Sequence, residues 1–393
     1  MSREGRPPLV TRDFVLLGAA DLAYFTGIGV AVLLLPRWAT GPVAAGEAGA
    51  GLAFGAFAIT ALVCRPYAGR LSDRHGRRAL MVGGAALCAA GMAVLPLVTS
   101  LAGVVAVRLV QGVAEAGFFV AGFALLADLA PAERLGEALS YNSLGLYLGF
   151  ALGPPLGAWV LSEAGFVVAW EVSAGLVALA TVLALLIAEP EREAGDGGHS
   201  DLLHRPSIPV AVAFLTSLAA VSGFLAFGAL HAGRIGFDNA GVPMLAYGLV
   251  VVACRLVFAR VPDRVPPLPL AAVSLAGIAV GLVLMAALAT PAGFLAGVVV
   301  MSVGVAFATP ALFTAVFATA APSERGAASG TASAAIDLAL GLGPILAGVL
   351  AQASGIPAAF VAGAVVALAG AAWSLLLARR RQPSSGIRTQ STM

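Results

Sequence analysis

Apolar runs long enough to cross a lipid bilayer recur along almost the whole chain, and that recurrence limits its fold more than any other feature. A spanning helix needs about 20 mostly apolar residues. With that ruler the sequence divides into twelve segments: 13–36, 48–68, 79–99, 101–127, 137–161, 165–188, 208–231, 241–260, 267–289, 292–319, 327–350 and 356–378. Charged residues are 11% of the chain, against about 25% in an ordinary soluble domain. A soluble core cannot absorb so much apolar surface, so the class is an all-α, polytopic membrane protein.

Arginine placement gives the expected topology. All 22 basic residues are arginine, and all but Arg37, Arg65, Arg108, Arg234 and Arg255 fall in alternate connections or the tails. The positive-inside rule makes those connections and both termini cytoplasmic. Only Arg37 and Arg234 are expected outside; Arg65 and Arg255 sit near inner helix ends. Residues 189–207 contain the one long polar interior stretch and read as a cytoplasmic linker, in which His199 and His204 are expected to be solvated. It separates an N-terminal bundle, 1–188, from a C-terminal bundle, 208–393. The first segment, interrupted by Asp21, reads as a retained helix rather than a cleaved signal. Cys64, Cys88 and Cys254 lack metal or redox spacing.

The two halves repeat. Cys64-Arg65…Asp73-Arg74 recurs as Cys254-Arg255…Asp263-Arg264, and Gly153-Pro154 as Gly343-Pro344, both shifted by 190 residues; Pro131-Ala-Glu133-Arg134 recurs as Pro322-Ser-Glu324-Arg325, shifted by 191. Within the first copy, Gly69-Arg-Leu-Ser-Asp73-Arg74-His-Gly76-Arg77-Arg78 reads as a charged turn, its glycines allowing a sharp reversal. It resembles the loop motif of the major facilitator superfamily at every defined position. The second copy, around 259–267, is degenerate. The resemblance covers nearly the whole chain and implies twelve helices in two pseudo-symmetric bundles, related by an axis along the membrane normal. It also implies that Asp73 meets the cytoplasmic end of the eleventh segment, near Ala327 to Gly330, and latches the halves together.

Four charged residues lie inside apolar segments: Asp21 in the first, Arg108 and Glu115 in the fourth, and Asp337 in the eleventh. A charge at mid-helix costs about 2.5–3.5 kcal/mol on insertion scales, so such residues mark ion or substrate paths. Arg108 and Glu115, seven apart, share a helix face. The resemblance places Asp21, Arg108 and Glu115 on a central cavity, as a proton-coupling and substrate site; the competing reading is a static ion pair of Arg108 with Asp21 or Glu115. Asp337 is expected either to pack or gate, or to carry a proton. Tyr24, Phe25, Phe118, Phe119 and Tyr147 could present an apolar substrate surface, or simply pack. Arg108-Leu-Val-Gln-Gly112 matches the family's fourth-helix pattern. Gly145, Gly149, Gly153, Pro154 and Gly157 form a stripe of small residues that another helix can approach closely. The stripe resembles the antiporter motif of drug and metabolite exporters.

No phosphate-binding loop, catalytic triad or metal cluster stands in the sequence, so neither an enzyme nor an ATP-driven pump is expected. The expected activity is proton-coupled efflux of a small amphiphilic compound, cationic or zwitterionic, across the cell membrane. No cofactor, nucleic acid or partner chain is expected; a monomer in the bilayer, driven by the proton gradient, is. Import of a sugar, organic acid or similar nutrient is the alternative, and a non-transporting sensor a further one.

Overall fold

A computed structural model of the chain describes residues 9–131, 134–189, 204–258, 264–321 and 324–381. Its elements are helices: α1 (Arg12–Thr40), α2 (Gly46–His75), α3 (Arg77–Val94), α4 (Leu101–Leu129), α5 (Leu135–Leu185), α6 (Ile208–Arg234), α7 (Val242–Val257), α8 (Pro267–Ala287), α9 (Pro291–Phe317), α10 (Arg325–Ser354) and α11 (Ile356–Arg381). Among the described residues, ten helices are long and apolar enough to cross a membrane, and α7 is a shorter apolar helix. The protein is a multi-pass membrane protein. The run α5 covers the predicted fifth and sixth segments; it breaks at Gly165, whose φ of 79° and ψ of −178° reverse the chain without a loop. A Cβ at φ near +79° would be strained, so glycine suits this reversal.

The repeat persists in packing. In the first half α1 lies along α5, α4 packs on α2 and α3, and α3 also meets α5. In the second half α6 lies along α10, α9 packs on α7 and α8, and α8 meets α11. Even the caps match. Ser100 accepts a hydrogen bond from Gly103 N at 3.2 Å to start α4, and Thr290, 190 residues on, accepts from Gly293 N at 3.2 Å to start α9.

Two sequence expectations need correction here. The stretch Gly69–Arg78 is not a turn throughout: α2 runs on to His75, and the reversal sits at Gly76 alone, with φ 115°. His204 is not solvated. It is 8% exposed; its Nε2 lies 3.6 Å from Glu324 Oε2, and its backbone N–H donates to Thr331 Oγ1 at 2.8 Å. The second half is thus already packed by residue 204, while most of the linker falls outside the described residues.

With helix direction alternating along the chain, the start of α1 at Arg12, the α2–α3 reversal before Arg77, the start of α6 after Arg205 and the end of α11 at Arg379 belong to one side, the arginine-rich end. Glu189 fixes it in the first half. Its carboxylate accepts from the N–H of Arg77 at 2.7 Å and of Arg78 at 2.9 Å, at the start of α3. An anion on free N–H groups at a helix N-terminus is stabilising. Arg77 also pairs with Asp128 at 3.0 Å, and Arg78 donates to the carbonyl of Ile187 at 3.2 Å.

Candidate functional site

The two halves meet along α2 with α10 and along α5 with α7. At the opposite end from the arginines this contact is backbone against backbone. A Cβ on Gly51 would fall 3.0 Å from Gly348 Cα and still closer to the Pro344 carbonyl; Gly55 abuts the Gly341 carbonyl in the same way, and Gly241 abuts Pro155. Polar contacts close the same end. Arg234 pairs with Glu47 at 2.7 Å, Gln352 accepts from Ala48 N at 3.0 Å, and Asn239 donates to the Pro155 carbonyl at 3.2 Å.

Moving toward the arginine-rich end, each seam finishes at an arginine. Arg65 of α2 lies 2.5 Å from Asp337 of α10 (Nε to Oδ2) and donates from Nη2 to Oδ1 at 2.9 Å. The same guanidinium lies 3.4 Å from Glu115 of α4 and 4.7 Å from the centre of the Phe119 ring. On the other seam Arg255 of α7 donates to the Tyr147 hydroxyl at 2.7 Å and stacks 4.2 Å over that ring. Past Arg65, α2 and α10 separate. Gly69 and Gly330 continue the contacting stripes of α2 and α10, yet a Cβ on either would meet nothing within 4 Å.

This geometry gathers two of the sequence-derived candidates, Glu115 and Asp337, around Arg65, which sequence reasoning left at an inner helix end. The signal for Arg65 was present: it lies inside an apolar run and is duplicated by Arg255. Arg108 stands apart. Its guanidinium is 8% exposed and donates to the carbonyls of Ala53 (3.1 Å) and Phe54 (3.4 Å) and to Gln111 Oε1 (2.7 Å), over the Phe57 ring at 4.6 Å. Its partners are α2 carbonyls, which have a second lone pair to give, rather than the Asp21 or Glu115 of the competing ion-pair reading. Arg108 and Glu115 do share a face, and it is the face toward α2. Gly112 lets the helices close, since a Cβ there would collide with the Phe57 carbonyl and Thr60 Oγ1.

Asp21 is 4% exposed in α1, and the partner of its carboxylate among the described residues is the neutral side-chain amide of Asn142 in α5. Its neighbour Tyr24 is fully buried and stacked on Phe118 with ring centres 3.8 Å apart; Phe25 is edge-on to Tyr24 at 5.4 Å. These three are packing residues here, while Phe119 and Tyr147 carry arginines. The glycine stripe holds α1: Gly149, Gly153 and Gly157 abut Phe25, Thr26, Gly29 and Val30, and Gly145 abuts Asp21. Of the loop motif, Gly69 is helical, Gly76 makes the turn, Arg74 is exposed, and Arg77 and Arg78 bond within the first half. The Asp73 side chain, and with it the expected contact to α10, lies outside the described residues. No group of three potential metal ligands stands among the described residues.

Comparison with known proteins agrees with this architecture. The sequence profile described as Major Facilitator Superfamily matches residues 17–320 and 240–392. The chain is 29% identical over 386 residues to an uncharacterized MFS-type transporter of Salmonella typhimurium, covering 93% of this chain and 96% of that one. A Burkholderia mallei protein of the same description is 29% identical over 379 residues, covering 93% and 91%. Among solved structures, a bacterial homolog of the human lysosomal transporter Spinster, in an inward-facing and unoccupied conformation, superposes with a TM-score of 0.78 at 15% identity, covering 95% of this chain and 98% of that one. The nucleoside transporter NupG does so with a TM-score of 0.74 at 16% identity, covering 94% and 98%.

Proposed function

The chain belongs to the major facilitator superfamily and is a membrane transporter rather than an enzyme, and we propose that it exports a small amphiphilic cation or zwitterion in exchange for protons. The observation that carries this reading is Asp21. A carboxylate buried at mid-membrane with a neutral amide as its described partner is costly while ionised. A proton or a cationic substrate removes that cost, and the two then compete for one group, which is what exchange requires. Glu115 and Asp337, two carboxylates on one arginine, supply a second such imbalance.

In this reading the arginine-rich end is cytoplasmic, the break in α5 makes the spans twelve, and the monomer works in the inner membrane of a bacterium. Seams closed at the far end, with α2 and α10 apart past Arg65, fit a cytoplasm-facing state. The halves then rock about the centre to alternate access. The gradient is the energy source, with no cofactor; a proton crossing 100 mV is worth about 2.3 kcal/mol.

The test uses inverted vesicles with an imposed pH gradient and ethidium as an amphiphilic cationic probe. Uptake should follow the gradient and be lost in Asp21→Asn. Uptake indifferent to the gradient, or intact in Asp21→Asn with Glu115→Gln, refutes the reading. Import of an anionic nutrient is the second reading; Arg255 favours it, since its described partner is a phenol and not a carboxylate.

A further inference from the structure

Arg65 and Arg255 are related by the 190-residue repeat, and so are their partners: Asp337 stands 190 residues after Tyr147. The two cross-half contacts are therefore the same contact made twice. In each, an arginine on a helix of one half reaches a side chain of the partner half. They differ in one chemical respect. Arg65 meets a carboxylate, which loses its charge when it takes a proton, whereas Arg255 meets a phenol hydroxyl.

The surroundings of Asp337 turn this difference into a switch. Among the described residues, the charged and titratable groups facing it are Arg65 from α2 and, behind it, Glu115 from α4; α6, α9 and α11, which also pack on α10, bring none. Arg65 is thus shared by two carboxylates, one in its own half and one across the seam. When Asp337 is ionised, the guanidinium ties the halves together. When Asp337 is protonated, the guanidinium keeps Glu115 at 3.4 Å and is not left unpaired, so the tie across the seam can be given up.

We propose that Arg65–Asp337 is a proton-released latch between the halves, and that Arg255–Tyr147, its repeat counterpart, is the member of the pair that lacks a carboxylate. Acid frees α2 from α10 while α7 stays bound to α5. Because both contacts sit on the closed side of the seams, releasing one favours the state in which the arginine-rich ends approach each other. The inference rests on the alternating-access part of the reading above, and on neither the direction of transport nor the substrate.

The test measures distances, not flux. Spin labels are placed at residues 69 and 330 in the full chain, with Cys64, Cys88 and Cys254 replaced by Ala, in lipid nanodiscs without substrate. Going from about pH 8 to about pH 5, the short-distance population should rise several-fold. In Asp337→Asn the distribution should match the acid one at every pH; Arg65→Gln, which removes the latch from α2, should also abolish the response and decides the matter if the first variant does not fold. Glu115→Gln, which removes the carboxylate that holds Arg65 once Asp337 is protonated, should weaken the response. A wild-type distribution that does not change with pH, or an unaltered response in Asp337→Asn or Arg65→Gln, overturns the proposal. Unchanging distances alongside gradient-driven uptake would remove the latch and leave the transport reading standing; the converse result would do the opposite.

Discussion

Gly153 offers the sharpest test of how the first half is packed. A Cβ placed there would lie 2.5 Å from the Thr26 carbonyl oxygen and 2.6 Å from Gly29 Cα. Ordinary contact begins near 3.4 Å, so Gly153→Ala is about 0.9 Å too large for its place. The atoms in the way are backbone, on successive stretches of α1, and cannot rotate aside. Relief requires α1 to back away from α5, which would also loosen the Gly149 and Gly157 contacts. Overpacking of this kind costs about 1–3 kcal/mol. It is offset by roughly 0.5–1 kcal/mol from the better helix propensity of alanine. Gly330→Ala is the control, since a Cβ there meets nothing within 4 Å and the propensity gain stands alone. Thermal unfolding of the purified protein in detergent should therefore move in opposite directions: down for Gly153→Ala, level or up for Gly330→Ala. A rise for both, or equal changes, would refute the argument that the glycine stripe exists to admit α1.

Arg108 is expected to be structural. Arg108→Lys should lower thermal stability nearly as much as Arg108→Leu, because an ammonium cannot reproduce the planar fork that serves two α2 carbonyls and Gln111; a fully stable Arg108→Leu with altered substrate affinity would make it a ligand instead. Arg65→Ala should cost about 3–5 kcal/mol, the usual penalty for stranding buried charge, and Asp337→Asn should cost less because Arg65 retains Glu115; guanidinium-free chemical unfolding in urea compares them, and the reverse order contradicts the shared-arginine geometry. Glu189→Gln should cost about 0.3–1 kcal/mol at low salt and less at high salt, as a screened charge at the start of α3 requires; a salt-independent loss would mean that packing, not charge, holds this junction.

Much of the architecture was legible because bilayer thickness and backbone satisfaction leave few options. Run length gave the helices, and the 190-residue repeat anticipated the matched packing of α1 on α5 and α6 on α10. The stripe from Gly145 to Gly157 announced a close helix neighbour without saying which. What stayed hidden depended on three-dimensional pairing. Mid-helix charge pointed to Asp21, Glu115 and Asp337, but Arg65 looked like one more basic residue near a helix end. Its role follows from the crossing of α2 and α10, which a spacing within one helix cannot reveal. The α2 carbonyls that Arg108 meets were hidden for a related reason: sequence shows which residues share a face, not which helix that face meets. Helix ends were also blurred, because the charged tail of α2 extends past its apolar run to His75. The solvated reading of His204 failed because Glu324 and Thr331, far away in sequence, enclose it.

The central claim is exchange of substrate for protons at a buried carboxylate. Purified protein in liposomes enclosing a pH-sensitive dye tests it directly. An inward gradient of ethidium, with no pH difference imposed, should drive protons out of the lumen in proportion to the dye-monitored uptake, and Asp21→Asn should abolish this proton movement. Ethidium uptake without any lumenal pH change, or an unaltered pH change in Asp21→Asn, would contradict the account.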